Sequence, residues 1–516
     1  MDRAALSAPL PRERRERRVS LDGTWLVELE PGGAAVPIEV PFTFEAPLSG
    51  LGLAAEVHER VRYRRSFRVP DAWRGAHVLL RFAGVDWHAV VRVDGRFAGE
   101  HRGGYTHFSF DLGPLDPGVE HELEVDVHDP ADGPQPRGKQ RGSGGIWYTR
   151  ATGIWRPVWL EAVPPAHIET FDLRPGADGR LSVVATTSAA TEVRVRVGDS
   201  DVVVPPGGTT IEIPEAPAWS PERPELVDVT LSTASGDVVR SYVAFRTFER
   251  RGRRLLLNGE PRFLCGVLDQ AYWPDGVYTA PSEDALRADV EAVKRLGFDL
   301  ARMHVKVADP RWYAWCDVLG VLVAQDMPSP LRLDTDEARS GFLQEVDEIV
   351  SQVGGHPCVV LWIAFNEDWG EPPADFQRRV TERIARVDPS RPVVDASGWR
   401  HRGDGDLVDV HDYGDDLARH APAGDLPVWV GECGGVSLVV AGDEDFAYKH
   451  VADGAALAAS YEQHVATLGD VAGFVWTQLT DVEGELNGLL GHDRAPKAAP
   501  EAIRRVNDAA RARRQR

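Results

Sequence analysis

The stretch LRADVEAVKRLGFDLARMHVKVADPRWYAWCDVLGVLVA, residues 286–324, passes twice from a helical pattern to a strand pattern. Its apolar residues first recur at helical spacing, at Leu286, Val290, Val293 and Leu296. Gly297 ends that helix, and Gly320 ends the next one. The elements predicted after Gly297 are a strand at 299–305, a helix at 312–319 and a strand at 321–324. Alternation of this kind favours parallel strands joined by helices.

The same alternation runs through the rest of the second half of the chain. Further strands are predicted at 263–267, 359–365, 393–395, 408–410, 428–430 and 474–476, with a helix at 376–387. Together these make eight strands within residues 250–516, the number and length typical of a (β/α)8 TIM barrel. In that fold the residues after the C-terminal ends of the strands line the active face. The strand ends therefore supply the candidate functional residues.

Strand patterns without helical periodicity dominate the first half of the chain. Residues 21–163 hold short alternating strands, such as 122–127, which predict a jelly-roll β-sandwich. Residues 164–249 have alternating strands at 193–197 and 227–231, and their number suits an immunoglobulin-like β-sandwich. Residues 1–20, where glutamates interrupt a run of arginines, are predicted to be a flexible, solvated tail.

The composition is that of a globular protein with an excess of negative charge. The 516 residues include 80 acidic and 58 basic side chains, for a net charge of −22. A field of that sign repels phosphate backbones and anionic membranes, so we expect neither a nucleic-acid partner nor a membrane partner. The four cysteines lie at apolar or strand-like positions without metal-ligand spacing. This pattern indicates buried free thiols in a reducing compartment, and we expect a cytoplasmic location.

Polar and aromatic residues collect at the predicted ends of the barrel strands. They are Asp269 and Gln270 after strand 1, Arg302, His304 and Lys306 on strand 2, Asp326 after strand 3, Asn366 and Glu367 after strand 4, Trp399 after strand 5, His411 and Tyr413 at strand 6, Glu432 at strand 7, and Trp476 and Gln478 at strand 8. Polar groups of these kinds bind hydroxyls, and aromatic faces cover the C–H surfaces of a sugar ring. The rim therefore favours a polyhydroxylated ligand.

Two of these carboxylates suit acid–base chemistry. Glu367 follows an almost wholly apolar strand, and Glu432 directly follows another. Hydrolysis of a glycosidic bond needs one carboxyl group to protonate the leaving oxygen and another to meet the oxocarbenium-like centre. A single rim glutamate more often forms only a salt bridge, but two of them, one preceded by Asn366, favour the catalytic interpretation.

Short motifs in all three predicted domains point the same way. They are LDGTW (21–25), YRRSF (63–67), GIWRPVWLE (153–161), WSPERPEL (219–226), FRT (245–247), LNG (257–259), CDVLG (316–320), NE (366–367), GECGG (431–435) and DRAPK (493–497). In this order the chain resembles glycoside hydrolase family 2 over nearly all of residues 20–510. The resemblance implies a jelly-roll domain, an immunoglobulin-like domain and a TIM barrel, in that order.

The resemblance also implies a role for individual residues. Glu367 matches the general acid/base of the family and Glu432 its nucleophile. Asn366 would bind the 2-hydroxyl of the sugar, Tyr413 would lie against the nucleophile, and Trp476 would form the floor of the pocket. The implied activity is that of a retaining, exo-acting glycosidase that cleaves a terminal β-linked sugar by double displacement.

The identity of the sugar stays open at this point. Glucuronidases of the family carry an Asn-x-Lys pair for the substrate carboxylate, and the corresponding stretch here, ELNGLLG (485–491), has no lysine, although Lys306 or Arg302 would be substitutes. A β-galactosidase-like activity is therefore expected. The alternatives are β-glucosidase, β-mannosidase, α-L-arabinopyranosidase or β-glucuronidase specificity, transglycosylation by the same carboxylates, and a non-catalytic carbohydrate-binding protein.

Three further expectations concern cofactors, assembly and one loop. No acidic cluster has calcium-loop spacing, so we expect no metal and no other cofactor. A homo-oligomer is compatible with the sequence. Trp147 and Tyr148 belong to a Gly-rich loop that begins at Gly142, and they either extend over the barrel mouth or, as favoured for aromatic residues between sandwich strands, pack in a domain interface.

Overall fold

Two antiparallel sheets packed face to face form the first part of the protein. The computed structural model describes residues 3–176, 178–421, 424–438 and 446–514. After helix α1 (Arg3–Leu6), the strands are β1 (Arg18–Ser20), β2 (Gly23–Glu28), β3 (Ala35–Val40), β4 (Arg60–Phe67), β5 (His77–Phe82), β6 (Val85–Asp86), β7 (His88–Val93), β8 (Arg96–Arg102), β9 (Phe108–Pro114), β10 (His121–His128), β11 (Gly153–Ile154) and β12 (Val158–Val163). The sheet orders are β1-β12-β5-β9 and β3-β2-β4-β10-β7-β8, while β6 pairs with β11. Inward side chains of both sheets, such as Trp25, Tyr63 and Leu80, share one core, as predicted for a sandwich.

The N-terminal segment differs from its prediction. Residues 3–20 are ordered against the domains, so the predicted flexible tail is wrong for the described part of residues 1–20. Leu6 and Leu10 are buried, and β1 pairs with β12. Arg15 is 7% exposed and is bonded to Asp237 and Glu161. Arg15 is held in place because it donates hydrogen bonds to carboxylates on two different domains.

The same segment explains why β5 does not alternate in burial. Val78, Leu80 and Phe82, which alternate with a period of two, face the sandwich core. Leu79 and Arg81, on the opposite face, are buried as well. Arg81 donates to Glu13 at 2.6 Å, so the N-terminal segment covers the face that would otherwise meet solvent.

A smaller sandwich follows, with the strand arrangement expected of an immunoglobulin-like domain. Its strands are β13 (Ile168–Pro175), β14 (Arg180–Thr187), β15 (Val193–Val197), β16 (Ser200–Val204), β17 (Thr209–Glu212), β18 (Val227–Thr233) and β19 (Val238–Val243). They form the antiparallel sheets β13-β14-β17 and β16-β15-β18-β19 around a core of their own. A three-stranded sheet of β20 (Phe248–Arg251), β21 (Arg254–Leu257) and β22 (Glu260–Pro261) leads into the last part of the chain.

A nearly closed barrel of eight parallel strands contains the candidate site. Its strands are β23 (Leu264–Asp269), β24 (Leu300–Met303), β25 (Leu322–Asp326), β26 (Val359–Ile363), β27 (Val393–Val394), β28 (Val408–Asp412), β29 (Val428–Gly434) and, after the short β30 (Val436–Leu438) and β31 (Lys449–Val451), β32 (Gly473–Thr477). The strand order is β27-β26-β25-β24-β23-β32-β29-β28. Every predicted strand of the barrel is present, and all C-terminal ends meet at one rim.

The helices outside the barrel begin and end where the sequence provides caps. They are α2 (Glu283–Arg295), α3 (Pro310–Leu319), α4 (Asp336–Val353), α5 (Ala374–Val387), α6 (Gly454–Thr467) and α7 (Pro500–Arg514). Ser282 accepts from the backbone N–H of Ala285 at the start of α2, and Gly320 ends α3 in the left-handed conformation. None of the helices in the described ranges combines the length and the apolar character that a membrane span requires.

Two of the eight expected strand–helix units lack their helix in the described residues. β27 and β28 are followed by irregular segments before the next strand begins. The segment after β27, ASGWRHRGDGDL (396–407), has no apolar residues at helical spacing and three glycines. These segments leave one side of the rim to loops that carry Ser397, Trp399 and Tyr413.

Candidate active site

Two glutamates from different sides of the barrel meet at the rim. Glu432 belongs to β29, and Glu367 follows β26, both strands being completely buried. One oxygen of each carboxylate and one nitrogen of His411 lie within 4.8 Å of one another. Retaining glycosidases hold their two carboxyl groups about 5–5.5 Å apart, and inverting ones about 6.5–9.5 Å apart. The observed spacing fits the shorter of these two arrangements.

The imidazole of His411, on β28, bridges the two carboxylates. Its Nδ1 lies 2.6 Å from Oε1 of Glu367, and its Nε2 lies 3.5 Å from Oε1 of Glu432. Ser397 Oγ approaches the same Nε2 to 2.7 Å. Burial lowers the pKa of His411, but the charge of Glu432, the hydrogen bond to Glu367 and the charge of Asp409 outweigh it, and the pKa lies above its usual value. The bridge therefore favours a positive charge.

Glu432 is held as a carboxylate from three sides. Arg302 Nη1 donates to its Oε1 at 3.2 Å, and the hydroxyl of Tyr413 donates to its Oε2. Burial alone would raise the pKa of Glu432, but the charges of His411, His304 and Arg302, with the Tyr413 hydrogen bond, lower that pKa to about 2. An ionised, hydrogen-bonded carboxylate in this position is suited to act as a nucleophile.

Arg302 fixes the floor of the site. It is completely buried and bonds both oxygens of Asp326, at 3.0 and 2.9 Å. Asp326 Oδ2 also lies 3.0 Å from His304 Nδ1. Arg302 Nη2 donates to Oδ1 of Asn366 at 2.8 Å, which orients the amide so that its buried Nδ2 has no protein partner. That amide nitrogen can donate a hydrogen bond to a ligand.

Four of the residues predicted at the strand ends do not hydrogen-bond to either glutamate. Lys306 donates to the backbone carbonyls of Ala271 and Tyr278, at 2.5 and 2.9 Å, among aromatic rings. Asp269 accepts from the N–H of Ala271. Gln270 is buried with its Nε2 unpaired, and Gln478 donates to Asn487 at 2.8 Å. The predicted use of Lys306 as a substrate counter-ion is therefore wrong, because its ammonium group faces the domain interface.

Of the two tryptophans predicted at the site, Trp399 lies beside it and Trp476 does not. Trp399 is 62% exposed and lies with its ring centroid 5.8 Å from that of His411, at the open side of the site. The prediction that Trp476 forms the floor of the pocket is wrong. Its ring packs against Tyr461 and His464 of α6, at 4.8 and 5.5 Å, on the outer face of the barrel. Since side chains alternate along a strand, an outward Trp476 turns its neighbour Thr477 inward.

A loop of the first domain forms part of the wall of the site. The sequence left open whether the aromatic residues of this loop reach the barrel mouth or pack in a domain interface. The ring of Trp147 lies 4.9 Å from that of Trp369, and Trp369 lies 5.9 Å from His304. Tyr148 is completely buried and bonds Glu485 of the barrel. Trp147 therefore reaches the barrel mouth, while Tyr148 packs in the domain interface.

Sequence reasoning missed Trp369, Lys139 and Asp409. The signal for Asp409 was present, because a carboxylate stands in the alternating strand Val408–Asp412. Burial raises the pKa of Asp409 to about 6, although His411 and Arg302 pull it down. Lys139 belongs to another domain, and nothing in its local sequence relates it to the barrel.

Two groups in the described part of the chain bring metal-ligand side chains together. They are Glu367, His411 and Glu432, and, at the opposite end of the barrel strands, Asp317, His356 and Cys358. In the second group Asp317 accepts from Tyr242 at 2.7 Å and from the N–H of Cys358 at 2.9 Å. Hydrogen bonds within the protein explain why the side chains of both groups lie close together. That the protein needs no metal stays a prediction.

Comparison with known proteins assigns the barrel. A family model described as "Glycosyl hydrolases family 2, TIM barrel domain" matches residues 248–411. The barrel of this chain is therefore similar to the TIM barrel domain of glycoside hydrolase family 2. A β-galactosidase of Thermoanaerobacter pseudethanolicus is 27% identical over 386 residues, which cover 68% of this chain and 50% of that protein. A β-glucuronidase of Sus scrofa is 25% identical over 462 residues, covering 77% and 70%. The chain thus spans about half the length of the β-galactosidase.

Solved structures of family 2 proteins share the complete fold. A β-galacturonidase from Eisenbergiella tayi bound to galacturonate has a TM-score of 0.79 at 20% identity, covering 96% of this chain and 98% of that one. A β-glucuronidase from Faecalibacterium prausnitzii has a TM-score of 0.80 at 22% identity, with the same coverage of both chains. At this identity the likeness is one of fold, and it extends over all three parts of the chain.

Proposed function

We propose that this protein is a retaining, exo-acting β-glycosidase, with a β-galactosidase-like preference for its sugar. The observation that carries the proposal is the pair of carboxylates, Glu367 and Glu432, which approach within 4.8 Å of one another.

The surroundings of the two glutamates suit different roles in double displacement. Glu432 is 5% exposed and stays ionised, so it would attack the anomeric carbon and form the glycosyl-enzyme ester. Glu367 is more exposed, at 13%, which leaves its carboxyl group accessible to the leaving oxygen that it would protonate. It would then deprotonate the water that cleaves the ester.

The neighbouring groups would support both steps. Ester formation removes the negative charge of Glu432, so it changes the balance of charges on the His411 bridge between the steps. The free Nδ2 of Asn366 would donate to the 2-hydroxyl of the sugar, a bond that strengthens in the transition state. Arg302 and Tyr413 would keep Glu432 aligned with the anomeric carbon.

The choice of a neutral β-galactoside is supported by the β-galactosidase names among the relatives and by the engagement of the nearby cations. Arg302 is bound to Asp326, Glu432 and Asn366, and Lys306 points away. The partner is then a carbohydrate glycoside. We also propose that the protein works in the cytoplasm, which its four buried free thiols support.

Hydrolysis of a panel of 4-nitrophenyl glycosides tests the proposal. We expect release of nitrophenol from one β-linked sugar by the wild-type protein, and loss of turnover by several orders of magnitude in Glu432→Gln, since no nucleophile is left. Glu367→Ala should keep the first step on an activated leaving group and accumulate the ester. Equal rates in the wild type and Glu432→Gln would disprove the assignment.

A further inference from the structure

A buried ion pair between two domains lies at the edge of the candidate site. Lys139, in the segment between β10 and β11, places its Nζ 3.1 Å from Oε2 of Glu485, which follows β32. The side chains are 6% and 3% exposed. Tyr148 donates its hydroxyl to the same carboxylate, and the ammonium group lies 4.9 Å from the centroid of the Tyr148 ring. An unpaired charge would be costly at this depth, so each partner depends on the other.

Contacts on one side connect this pair to the nucleophile. Trp147, in the same loop as Lys139, packs on Trp369, and Trp369 packs on His304 at 5.9 Å. His304 Nδ1 is 3.9 Å from Oε1 of Glu432. Burial and the charges of Arg302 and Lys139 lower the pKa of His304, against the hydrogen bond to Asp326 and the charge of Glu432.

A second series of contacts, which starts at Glu485, also leads to the carboxylate of Glu432. Glu485 forms a β-bridge with Phe446, whose ring lies 5.4 Å from Tyr448. Tyr448 stacks on Tyr413 at 3.6 Å, and Tyr413 bonds Glu432. Two series of contacts thus connect the Lys139–Glu485 pair to Glu432, one through His304 and one through Tyr413.

The hydrogen bonds of the pair leave capacity for a ligand. Glu485 accepts from Lys139 and Tyr148 through Oε2 and from Asn487 through Oε1 at 3.2 Å, and a carboxylate has about four acceptor sites. Gln478, which bonds Asn487, keeps a buried Oε1 without a protein partner. A primary hydroxyl, both donor and acceptor, could bond here to either partner of the ion pair.

The local charge disfavours an anionic substituent. Within the described residues around the site, the carboxyl groups of Glu367, Glu432, Glu485, Asp326 and Asp409 outnumber the cationic groups, which are Lys139, the already engaged Arg302 and the His411 imidazole when it is protonated. A sugar carboxylate would add a negative charge beside Glu485, and repulsion of this kind is an effective way to reject a competitor. A neutral hydroxymethyl group meets no such repulsion.

We propose that the Lys139–Glu485 pair, assembled from two domains, contacts the C6 substituent of the bound sugar and selects a hydroxymethyl group over a carboxylate. This inference rests on the glycosidase function proposed above. In this proposal Glu485 determines the specificity, because it neutralises the charge of Lys139 that would otherwise attract a carboxylate.

Three substrates of one stereochemical series isolate the C6 group. They are the 4-nitrophenyl derivatives of β-D-galactopyranoside, β-D-galacturonide and α-L-arabinopyranoside, which carry CH2OH, a carboxylate and no group at that position. In Glu485→Gln we expect the ratio of kcat/KM for galacturonide over galactoside to rise at least about tenfold, because Lys139 is then free to bind the carboxylate. The arabinopyranoside should change by less than about threefold. Lys139→Gln should lower the same ratio.

Controls separate recognition from stability. Asp481→Asn removes a carboxylate from the same segment, where Asp481 pairs with Lys497 at 2.7 Å, and it should leave the ratio unchanged. The double variant Lys139→Gln/Glu485→Gln restores neutrality and should return the ratio toward that of the wild type, with Tm measured for each protein. If a single variant does not fold, Lys139→Arg, which keeps the charge, should retain the wild-type ratio.

Different results would overturn the proposed C6 selection and the proposed glycosidase function. A wild type that cleaves the galactoside, with ratios that do not move in folded Glu485→Gln and Lys139→Gln, overturns this inference and leaves a purely structural ion pair. A rise of the ratio in Lys139→Gln overturns it too. A wild type without turnover on any of the panel glycosides overturns the proposed function itself.

Discussion

At the scale of single residues, the position of His411 between Glu367 and Glu432 has a measurable consequence. The imidazole charge is one of the causes that keep the pKa of Glu432 near 2, so in the wild type this carboxylate stays ionised throughout the usual pH range. Removing the charge in His411→Asn should raise the Glu432 pKa. The acid limb of kcat/KM should then move upward by about 1 pH unit, measured with the best substrate of the panel.

Ser397→Ala is the matched control for that prediction. It removes the hydroxyl 2.7 Å from Nε2 but keeps the imidazole, so the acid limb should stay close to that of the wild type. A His411→Asn variant that loses kcat while its acid limb stays in place would show that His411 only positions Glu367.

The two glutamates could be predicted from the sequence because each follows a buried apolar strand, and strand ends define the rim of a barrel. The position of Trp476 could not be predicted, since it depends on which face of β32 turns inward. Lys139 could not be predicted either, because its partner Glu485 is far away in sequence and on another domain. The local sequence pattern thus identifies functional side chains on the barrel strands. Which residues of the other domains contact them depends on how the domains pack.

At the scale of elements, the loop that carries Lys139 is fixed by a close backbone approach. Gly138 has φ +58°, and a Cβ at this position would lie 2.2 Å from the carbonyl oxygen of Val305. Gly138→Ala should therefore push the loop away from the barrel and lower kcat/KM by about tenfold or more, because small displacements of binding groups are expensive in catalysis. Steady-state kinetics on the panel substrate measures this effect.

The same loop contains a matched control. Gly145 has φ +59°, almost the same backbone conformation, but a Cβ added there would meet no atom within 4 Å. Gly145→Ala carries the same left-handed strain without the collision, so it should cost some stability but little activity. Equal losses of activity in both variants would mean that strain, and not the approach to Val305, governs the loop.

Some of the helices and strands could be predicted from the sequence, and others could not. Helices with caps, such as α2 after Ser282, and the apolar barrel strands were predictable because their signals are local. The burial of both faces of β5 was not, since it depends on Glu13 and the rest of the N-terminal segment. The loops after β27 and β28 replaced two expected helices because a barrel strand can return through any segment long enough to span the connection.

At the scale of the whole molecule, arginines fasten the three domains together. Arg156 of the first domain is buried and donates to the carbonyls of Val307 and Ala308 in the barrel, at 2.6 and 2.8 Å. Arg246, from the immunoglobulin-like part, donates to the carbonyls of Pro357 and Val359. Backbone acceptors at these contacts set the orientation that brings Trp147 and Lys139 to the barrel mouth. The active site therefore depends on domain packing.

The N-terminal segment contributes the clearest test of that dependence. Arg15 donates to Asp237 of the immunoglobulin-like domain at 2.9 and 3.0 Å and to Glu161 of the first domain at 3.1 Å. All three side chains are at most 7% exposed. Arg15→Ala would leave the buried carboxylate of Asp237 without this cation, whereas Glu161 keeps Arg81 at 3.3 Å, and loss of one partner of a buried ion pair typically costs about 3–5 kcal/mol. Differential scanning calorimetry should show a lower Tm for the transition of the first two domains.

Arg17→Ala is the appropriate comparison, since Arg17 is exposed and its guanidinium group donates to a carbonyl within the first domain, that of Ala72, at 2.8 Å. Its Tm should stay near that of the wild type, because exposed contacts contribute little. Well below the transition, both variants should retain the wild-type kcat/KM, as neither residue contacts the site. An Arg15→Ala protein that unfolds like the wild type would mean that the buried arginine contacts with the barrel alone hold the domains in place, and that the N-terminal segment merely covers them.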